Sequence, residues 1–199
     1  LLRKRIKVAI VVSVKQHNFD RVVEIKVKKE QYYTIIVELF DKGNIILLDE
    51  EDNIILPLKR KKSSSRDISS KQEYTFPPER GINPVSATLD DLKNLLKESD
   101  SDVVRSLARS GLGSLYAEEI ILRAKDIDKN KEASSLTEND VEKLYNSLLT
   151  IFEDLKNDNF KPQIVKCDKK ENVVPLNLDQ YTSCSKEYFN SFNEACDEF

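Results

Sequence analysis

The sequence has few of the residues from which active sites and metal centres are built: one His, three Cys, four Gly, and neither Met nor Trp. It has no glycine-rich nucleotide loop, no GxSxG and no HxxxH motif, so we expect no enzymatic activity, cofactor or small-molecule substrate. No apolar run approaches 18 residues and the basic start lacks a cleavable apolar segment, so neither a membrane span nor a signal peptide is predicted. Because the sequence has no Met, we interpret it as a fragment of a longer protein, cut at both ends.

The cysteines form no recognisable ligand cluster. Cys167, Cys184 and Cys196 are odd in number, widely spaced and without a CxxC pair, and the single His17 is distant from them in the sequence. A zinc site needs a tighter set of ligands. We therefore expect reduced, structural cysteines in a cytoplasmic protein.

Charge is distributed unevenly along the chain, although the net charge is only −3. Residues 1–30 hold nine Lys or Arg against three Asp or Glu, and residues 59–71 hold six against one. A basic front on an acidic body suits docking to RNA, whereas a solvated sheet face and a disordered loop explain the same charges equally well. The second segment has Ile68 as its only apolar residue, so we expect it to be mobile and to contact RNA through Lys59, Arg60, Lys61, Lys62 and Arg66.

Alternation of apolar and polar residues predicts five strands joined by short turns. In the first strand it predicts one buried face, formed by Val8, Ile10, Val12 and Val14. The predicted strands cover residues 7–15, 20–28, 32–40, 45–48 and 54–58, which indicates an antiparallel meander. The isolated sheet would have two unprotected edges and one bare apolar face, and we expect an N-terminal part outside this sequence to cover some of that face.

Helical periodicity follows from Thr88, which has Asp91 at the spacing of a capping box. A longer amphipathic helix is predicted to open at Thr137, a small hairpin to comprise residues 163–167 and 173–178, and a last helix to start at Tyr188. Adjacent acidic residues on helices, such as Glu118 and Glu119, should be solvated. The predicted fold class is α+β: an antiparallel β-meander, then a helical subdomain and a small β-hairpin.

Residues 101–126 have the pattern of two helices joined by the tight turn Gly111-Leu112-Gly113. Its glycines permit positive φ and the close approach of another backbone or of a phosphate. This is the arrangement of a helix-hairpin-helix element, whose turn amides can face a nucleic-acid phosphate. An ordinary αα-hairpin with a glycine turn is the alternative, and the pattern alone favours it slightly.

Several sequence blocks, taken together and in order, resemble the NFACT family. They are QHNFDRVVE (16–24), IIVELFDKGNIILLDE (35–50), YTFPP (74–78), LARSGLGSLYAEEI (107–120), VVPLNL (173–178) and FNSFNEACDEF (189–199). The family includes nuclear export mediator factor, RqcH and proteins described as fibronectin-binding protein A-like. The resemblance implies four parts: 1–80 belongs to the family's N-terminal β domain, 87–160 is the helix-hairpin-helix domain, 161–185 is a β-hairpin returning to the N-terminal domain, and 186–199 starts a coiled-coil helix.

The resemblance implies a cytoplasmic role in ribosome-associated quality control. Family members bind a large ribosomal subunit that carries peptidyl-tRNA, through rRNA and ribosomal proteins. They recruit tRNA, typically alanyl-tRNA, for template-free C-terminal extension of the stalled chain. The family's Asp-Arg motif corresponds to Asp20-Arg21 and its helix-hairpin-helix to the Gly111–Gly113 turn. An Arg at a sheet rim can bind phosphate or a base edge, and an Asp can accept from a base amine. A structural salt bridge at the rim is the alternative.

Two other classes of function stay open at this point. The older family name suggests an extracellular-matrix adhesin, against which free cysteines count mildly. The family's N-terminal domain also resembles formamidopyrimidine-type DNA glycosylases, but no lysine or N-terminal amine nucleophile with a paired acid can be identified in this sequence.

Overall fold

The computed structural model describes residues 2–63, 66–78, 81–168 and 170–199. The chain divides into two compact units, Leu1–Glu79 and Arg80–Phe199. The first is dominated by an antiparallel sheet, and the second combines helices with a smaller antiparallel sheet. The predicted α+β class is therefore confirmed, while the four finer domain boundaries stay predictions.

The sheet of the first unit is a five-stranded antiparallel meander in sequence order. Its strands are β1 (Ile10–Gln16), β2 (Val22–Lys28), β3 (Tyr32–Glu38), β4 (Asn44–Leu48) and β5 (Ile54–Pro57). A two-stranded ribbon follows, formed by β6 (Lys61–Lys62) and β7 (Asp67–Ile68). The turn before β4 has Gly43 at a φ of +63°, a left-handed conformation that glycine adopts without strain.

The first strand differs from its prediction in both register and burial. Its pairing with β2 shifts between Val11 and Ser13, so the strand contains a bulge. Ile10 therefore lies opposite Lys28 on one face of the sheet, whereas Val14 lies opposite Ile25 on the other. The predicted single apolar face, which placed Val8, Ile10, Val12 and Val14 together, is wrong because the bulge interrupts the period of two. The strand is an exposed edge strand instead of a half-buried one.

Apolar clusters pack on both faces of this sheet. One cluster contains Val22, Ile36, Ile46, Leu48, Ile54, Ile68 and Tyr74. The other is built around Val27, Tyr33 and Leu47, against which pack Leu2 and Ile6 of α1 (Leu2–Ile6), a helix that the sequence pattern did not predict. On this second face Val14 is 62% exposed and Ile45 is 38% exposed. Part of the predicted bare apolar face is thus present.

Four helices begin the second unit: α2 (Leu89–Lys97), α3 (Val103–Leu107), α4 (Gly113–Ala124) and α5 (Glu138–Lys156). Thr88 caps α2, since its Oγ1 accepts the Asp91 N–H at 3.2 Å and Asp91 Oδ2 accepts the Thr88 N–H at 2.8 Å. Thr137 and Asp140 form the same box before α5. Both predicted helix starts are confirmed. None of the helices among the described residues is long and apolar enough to cross a membrane.

A three-stranded antiparallel sheet follows, in the order β10–β8–β9. β8 (Gln163–Cys167) has its predicted bounds, β9 (Lys170–Val174) begins earlier than predicted, and β10 (Ser185–Tyr188) was not predicted. Tyr188 therefore ends a strand, and the last helix, α6 (Phe192–Glu198), starts after it. The true helix start is marked by Ser191, whose Oγ accepts the Glu194 N–H at 3.1 Å.

The expectation of three reduced cysteines is wrong. Cys167 and Cys184 form a disulfide, and Cys196 is free and exposed. Lys166 lies opposite Ser185 in the small sheet, so the next residue of β8 meets the residue before β10, with their Cα atoms 4.9 Å apart. The sequence concealed this pairing because the strand that creates it was not predicted.

We expect thiol titration in denaturant to find one free thiol per chain without reductant and three after reduction. The bond links residues 17 apart in sequence, a loop for which chain entropy gives about 3 kcal/mol of stabilisation. Cys184→Ser should lower the free energy of unfolding in urea by about that amount. Cys196→Ser is the control and should change little. Three titratable thiols without reductant would contradict the pairing.

Candidate nucleic-acid interface

Asp20 and Arg21 lie in the tight turn between β1 and β2, directly before β2 begins. The turn is closed by the His17 N–H, which donates to the Val22 carbonyl at 2.9 Å, and by the Asp20 N–H, which donates to the His17 carbonyl at 3.0 Å. Asp20 Oδ1 accepts the backbone N–H of Arg21 at 2.7 Å. Arg21 is exposed, and within the described part of the chain its guanidinium has no hydrogen bond or ion pair. The predicted location at a sheet rim is confirmed, and no salt bridge joins the two side chains.

His17 fixes this turn to the sheet, a role that the sequence pattern did not reveal. Its imidazole stacks on the Phe76 ring with centroids 3.5 Å apart and planes 5° from parallel. Its Nδ1 also lies 3.4 Å from Glu24 Oε1 on β2. Phe76 packs in turn against the apolar cluster on that face. Two features of the sequence pointed to this contact: its single His lies close to the Asp-Arg pair, and the YTFPP block contains Phe76.

The segment 59–71 is more structured than predicted, although Ser64 and Ser65 fall outside the described residues. Lys61 pairs with Ile68 and Lys62 with Asp67 in the β6–β7 ribbon. Ile68, expected to be too isolated to anchor the loop, is only 2% exposed and belongs to a core cluster. The prediction of a loop without an apolar anchor is wrong, because the Ile68 side chain packs into the apolar core of the first unit.

Arg66 was predicted to bind RNA, which requires exposure to solvent, but its side chain is largely buried in the fold. Its Nη2 donates to Glu38 Oε1 at 2.6 Å, its Nε donates to the Thr75 carbonyl at 2.8 Å, and its side chain is 12% exposed. The Tyr74 hydroxyl donates to the same Glu38 oxygen at 3.0 Å. Burial, followed by the nearby Glu38 charge, raises the pKa of Tyr74. The buried contacts of Arg66 indicate that it stabilises the fold instead of binding RNA.

The other predicted cations of the segment differ in their availability. Lys59 donates from Nζ to the Lys42 carbonyl, Lys61 pairs with Asp41 at 2.9 Å, and Lys62 lies 3.5 Å from Asp67. The hydrogen bond from Lys61 is the main cause of a lowered pKa at Asp41. Arg60 is exposed, and its guanidinium has no partner among the residues that the structure describes. Arg60 is therefore the member of this group that is free to bind a phosphate.

Both glycines of the turn between α3 and α4 have positive φ, as the sequence pattern predicted. Gly111 has a φ of +99° inside a widened helical turn, and Gly113 has a φ of 72° and a ψ of 168°. The Gly113 N–H donates to the Ala108 carbonyl. A close approach occurs elsewhere: a Cβ on Gly81 would collide with the backbone of Ser110, whereas one on Gly113 would meet nothing within 4 Å. Contact of this turn with nucleic acid stays a prediction.

Glu119 corrects the expectation that adjacent acidic residues are solvated. It is fully buried, and its Oε1 accepts from Arg123 Nε at 2.7 Å and from the Asp179 N–H at 2.7 Å. Its Oε2 accepts the backbone and side-chain N–H groups of Gln180, each at 3.1 Å. Glu119 thus holds the chain after the small hairpin against α4. Glu118 is exposed, as predicted.

An aromatic groove was also not predicted from the sequence. It has a volume of about 490 Å³ and is lined by Phe160, Lys161, Pro162, Asn177, Tyr188, Phe189 and Asn190. Tyr188 and Phe189 line it at the end of β10, where the sequence pattern had predicted the start of a helix. No group of three or more His, Cys, Asp or Glu side chains in the described ranges is arranged to hold a metal ion.

A family model for NFACT N-terminal and middle domains matches residues 1–199. The chain belongs to the NFACT family. It is 40% identical over 207 residues to the archaeal Rqc2 homolog aRqcH of Methanocaldococcus jannaschii, with all of this chain and 30% of that protein covered. It is 26% identical to the human ribosome quality control complex subunit NEMF, covering 99% of this chain and 20% of that protein. The chain therefore spans less than a third of these curated relatives.

Solved structures support the fold of this NFACT chain. The fibrinogen binding protein from Staphylococcus aureus superposes with a TM-score of 0.76 at 23% identity, covering 100% of this chain and 73% of that one. The N-terminal region of the fibronectin/fibrinogen-binding protein from Streptococcus suis gives a TM-score of 0.62 at 24% identity, covering 99% and 69%. At this level of identity the likeness establishes a shared fold and carries no conclusion about ligands.

The buried position of Arg66 predicts that Arg66→Ala destabilises the protein strongly. Removing the guanidinium leaves the Glu38 carboxylate, 7% exposed, without its cationic partner, which costs about 3–5 kcal/mol. Lys62→Ala is the matched control, since its 82% exposed side chain makes only a surface ion pair worth about 0–1 kcal/mol. Urea denaturation measures both. Equal midpoints would show that the Arg66 pair is not structural.

The glycine conformations predict differences in stability among four variants. Gly113→Val should cost about 1–3 kcal/mol, because φ and ψ of Gly113 lie in a region open essentially to glycine alone. Ser114→Ala, on the exposed neighbour, should change stability by less than about 0.5 kcal/mol. Gly81→Ala should cost more than Gly113→Ala, since it adds a backbone collision to a positive φ. Thermal melting of the variants checks this order.

Proposed function

We propose that this chain is the RNA-contacting part of a cytoplasmic ribosome-associated quality-control factor. In this proposal it binds a large ribosomal subunit carrying peptidyl-tRNA and helps to recruit tRNA, with alanyl-tRNA expected, for template-free extension of the stalled chain. It acts by binding and not by catalysis. The observation that carries the proposal is the turn at Asp20-Arg21, which presents an unpartnered guanidinium within the described structure from a rigid rim.

The chemistry of this turn suits RNA better than it suits stability. A guanidinium without an internal partner can donate in a planar fork to phosphate oxygens or to a guanine edge. The hydrogen bond from the Arg21 N–H fixes the Asp20 carboxylate beside it. His17 stacking holds the turn, so little conformational entropy is lost when RNA binds. The names of the relatives aRqcH and NEMF, which refer to Rqc2 and ribosome quality control, support the same assignment.

In the protein, Asp20→Ala combined with Arg21→Ala should weaken tRNA binding while leaving the fold intact. Losing an Arg contact to RNA costs roughly 1–3 kcal/mol of binding, which is a several-fold to hundred-fold loss of affinity. Stability should change by less than about 1 kcal/mol, because no salt bridge of the pair is lost. The comparison is tRNA affinity beside melting temperature for wild type and double variant.

The matched control is Lys97→Ala with Glu98→Ala, an adjacent exposed acid–base pair at the end of α2 that changes net charge in the same way. It should bind tRNA like wild type. Unchanged tRNA binding in the Asp20 and Arg21 variant would remove the pair from the interface. A strongly lowered melting temperature in that variant would make it structural.

A further inference from the structure

The face of the first unit's sheet that carries Glu24, Lys26 and Lys28 holds a compact group of cations that the Asp-Arg turn does not include. Antiparallel partners point to the same side of a sheet, so the register defines which residues share this face. Lys28 lies between Ile10 and Tyr32, and Lys26 lies between Ser13 and Thr34. Lys28 therefore lies directly opposite Tyr32 and Lys26 lies diagonally from it, so both lysines are neighbours of the Tyr32 ring.

Both lysines are held over that ring. The Lys26 Nζ lies 5.0 Å and the Lys28 Nζ 5.1 Å from the centroid of Tyr32, within the range of cation–π attraction. Neither ammonium has an ion-pair partner among the described residues. Two like charges thus lie close to one aromatic ring without an ion-paired carboxylate among the described residues.

Two acidic residues near this group make contacts other than ion pairs with the lysines. Glu24 shares the face but its carboxylate lies 3.4 Å from the His17 imidazole. Glu50 approaches Tyr32 from the next turn, where its Oε1 accepts the Tyr32 backbone N–H at 2.7 Å. Lys15, opposite Glu24 on β1, adds a third exposed cation without an ion pair in the described structure. On the part of this face formed by β1 and β2, the three lysines therefore outnumber the single carboxylate of Glu24.

Protection of a sheet edge does not explain the arrangement. Lysines on edge strands keep sheets from pairing with one another, and Lys15 on β1 fits that role. Lys26 and Lys28 lie on β2, which is hydrogen-bonded to a strand on each side and has no free edge. Edge protection therefore does not account for the convergence of Lys26 and Lys28, whereas binding of a polyanion that neutralises both charges does.

We propose that Lys26 and Lys28, positioned by Tyr32, bind consecutive phosphates of the tRNA backbone. This rests on the proposed function above and adds to it a second contact surface, distinct from the Asp20-Arg21 turn. The contact is to phosphate and independent of base sequence, since ammonium groups are point charges without the planar fork that reads base edges. Tyr32 acts as a positioning residue that keeps the two side chains gathered before RNA arrives.

The test measures affinity of the protein for bulk tRNA across a salt series. Lys26→Ala with Lys28→Ala should reduce affinity about tenfold or more and lower the slope of log affinity against log salt by about two, one for each phosphate that the variant no longer neutralises. The matched control is Lys97→Ala with Lys156→Ala, two exposed lysines in the last turns of α2 and α5. The control should keep both the affinity and the slope of wild type.

Two substitutions at one position test the positioning role. Tyr32→Phe keeps the aromatic face and should bind tRNA like wild type, whereas Tyr32→Leu should lose about threefold in affinity with an unchanged salt slope, because both lysines remain. Equal affinity of the two variants would overturn the role of the ring. Melting temperatures of all variants confirm that they are folded.

The outcomes separate this inference from the proposed function. If wild type binds tRNA and the double lysine variant keeps its affinity and slope, the second surface is refuted while the proposed function stands. If wild type binds no tRNA, both are refuted. If the lysine variant loses binding to purified large ribosomal subunits but not to tRNA, the surface contacts rRNA, and the assignment to tRNA is wrong.

Discussion

The antiparallel pairing of β2 with both of its neighbours is the constraint on which the candidate interface depends. On the β1 side, the His17 N–H donates to the Val22 carbonyl and closes the turn that presents Asp20 and Arg21. On the β3 side, the register places Lys28 opposite Tyr32 and Lys26 diagonally from it, on the same face of the sheet. A slip of one residue between β2 and β3 would move Tyr32 to the face opposite the two lysines. The turn and the lysine group therefore both depend on how β2 is paired.

Buried carboxylate–arginine pairs hold irregular segments in each unit. In the first, Glu38 on β3 receives Arg66 and so holds the chain next to β7. In the second, Glu119 on α4 receives Arg123 together with backbone N–H groups of the segment before β10. Each carboxylate makes several hydrogen bonds, which is the condition under which a charge can be buried without a large penalty. Such residues resemble binding-site residues in a sequence, because both are charged residues in loops or on polar helix faces.

The sequence was sufficient for the features that depend on local pattern. The meander, the capped starts of α2 and α5 and the glycine turn all follow from spacing and residue type, and the structure confirms them. Features that depend on distant contacts were not predictable in this way. The bulge in β1 leaves no mark in the alternation of Val and Ile, and the disulfide depends on β10, whose residues Ser-Lys-Glu-Tyr lack β-branched side chains.

The position of the candidate site was predictable from the sequence, but which residues belong to it was not. Asp20 and Arg21 lie at the rim, as their place at the start of a predicted strand indicated, whereas most cations of the basic segment 59–71 make contacts within the chain. A count of Lys and Arg in that segment treats Arg60 and Arg66 alike, although one is exposed and the other is bound to Glu38. Only the contacts made by each cation distinguish them.

Affinity for a polyanion follows the cations that can release counterions from the nucleic acid, and not the net charge of the chain. A cation already paired with a carboxylate must first give up that partner, so Lys61 and Arg66 gain less from a phosphate than Arg21 does. Arg21, Arg60, Lys26 and Lys28 have no such partner among the described residues. A net charge of −3 is therefore compatible with RNA binding, because none of these four side chains forms an ion pair with a carboxylate of the described residues. The salt dependence of binding should accordingly be that of a few defined contacts and not that of a uniformly basic surface.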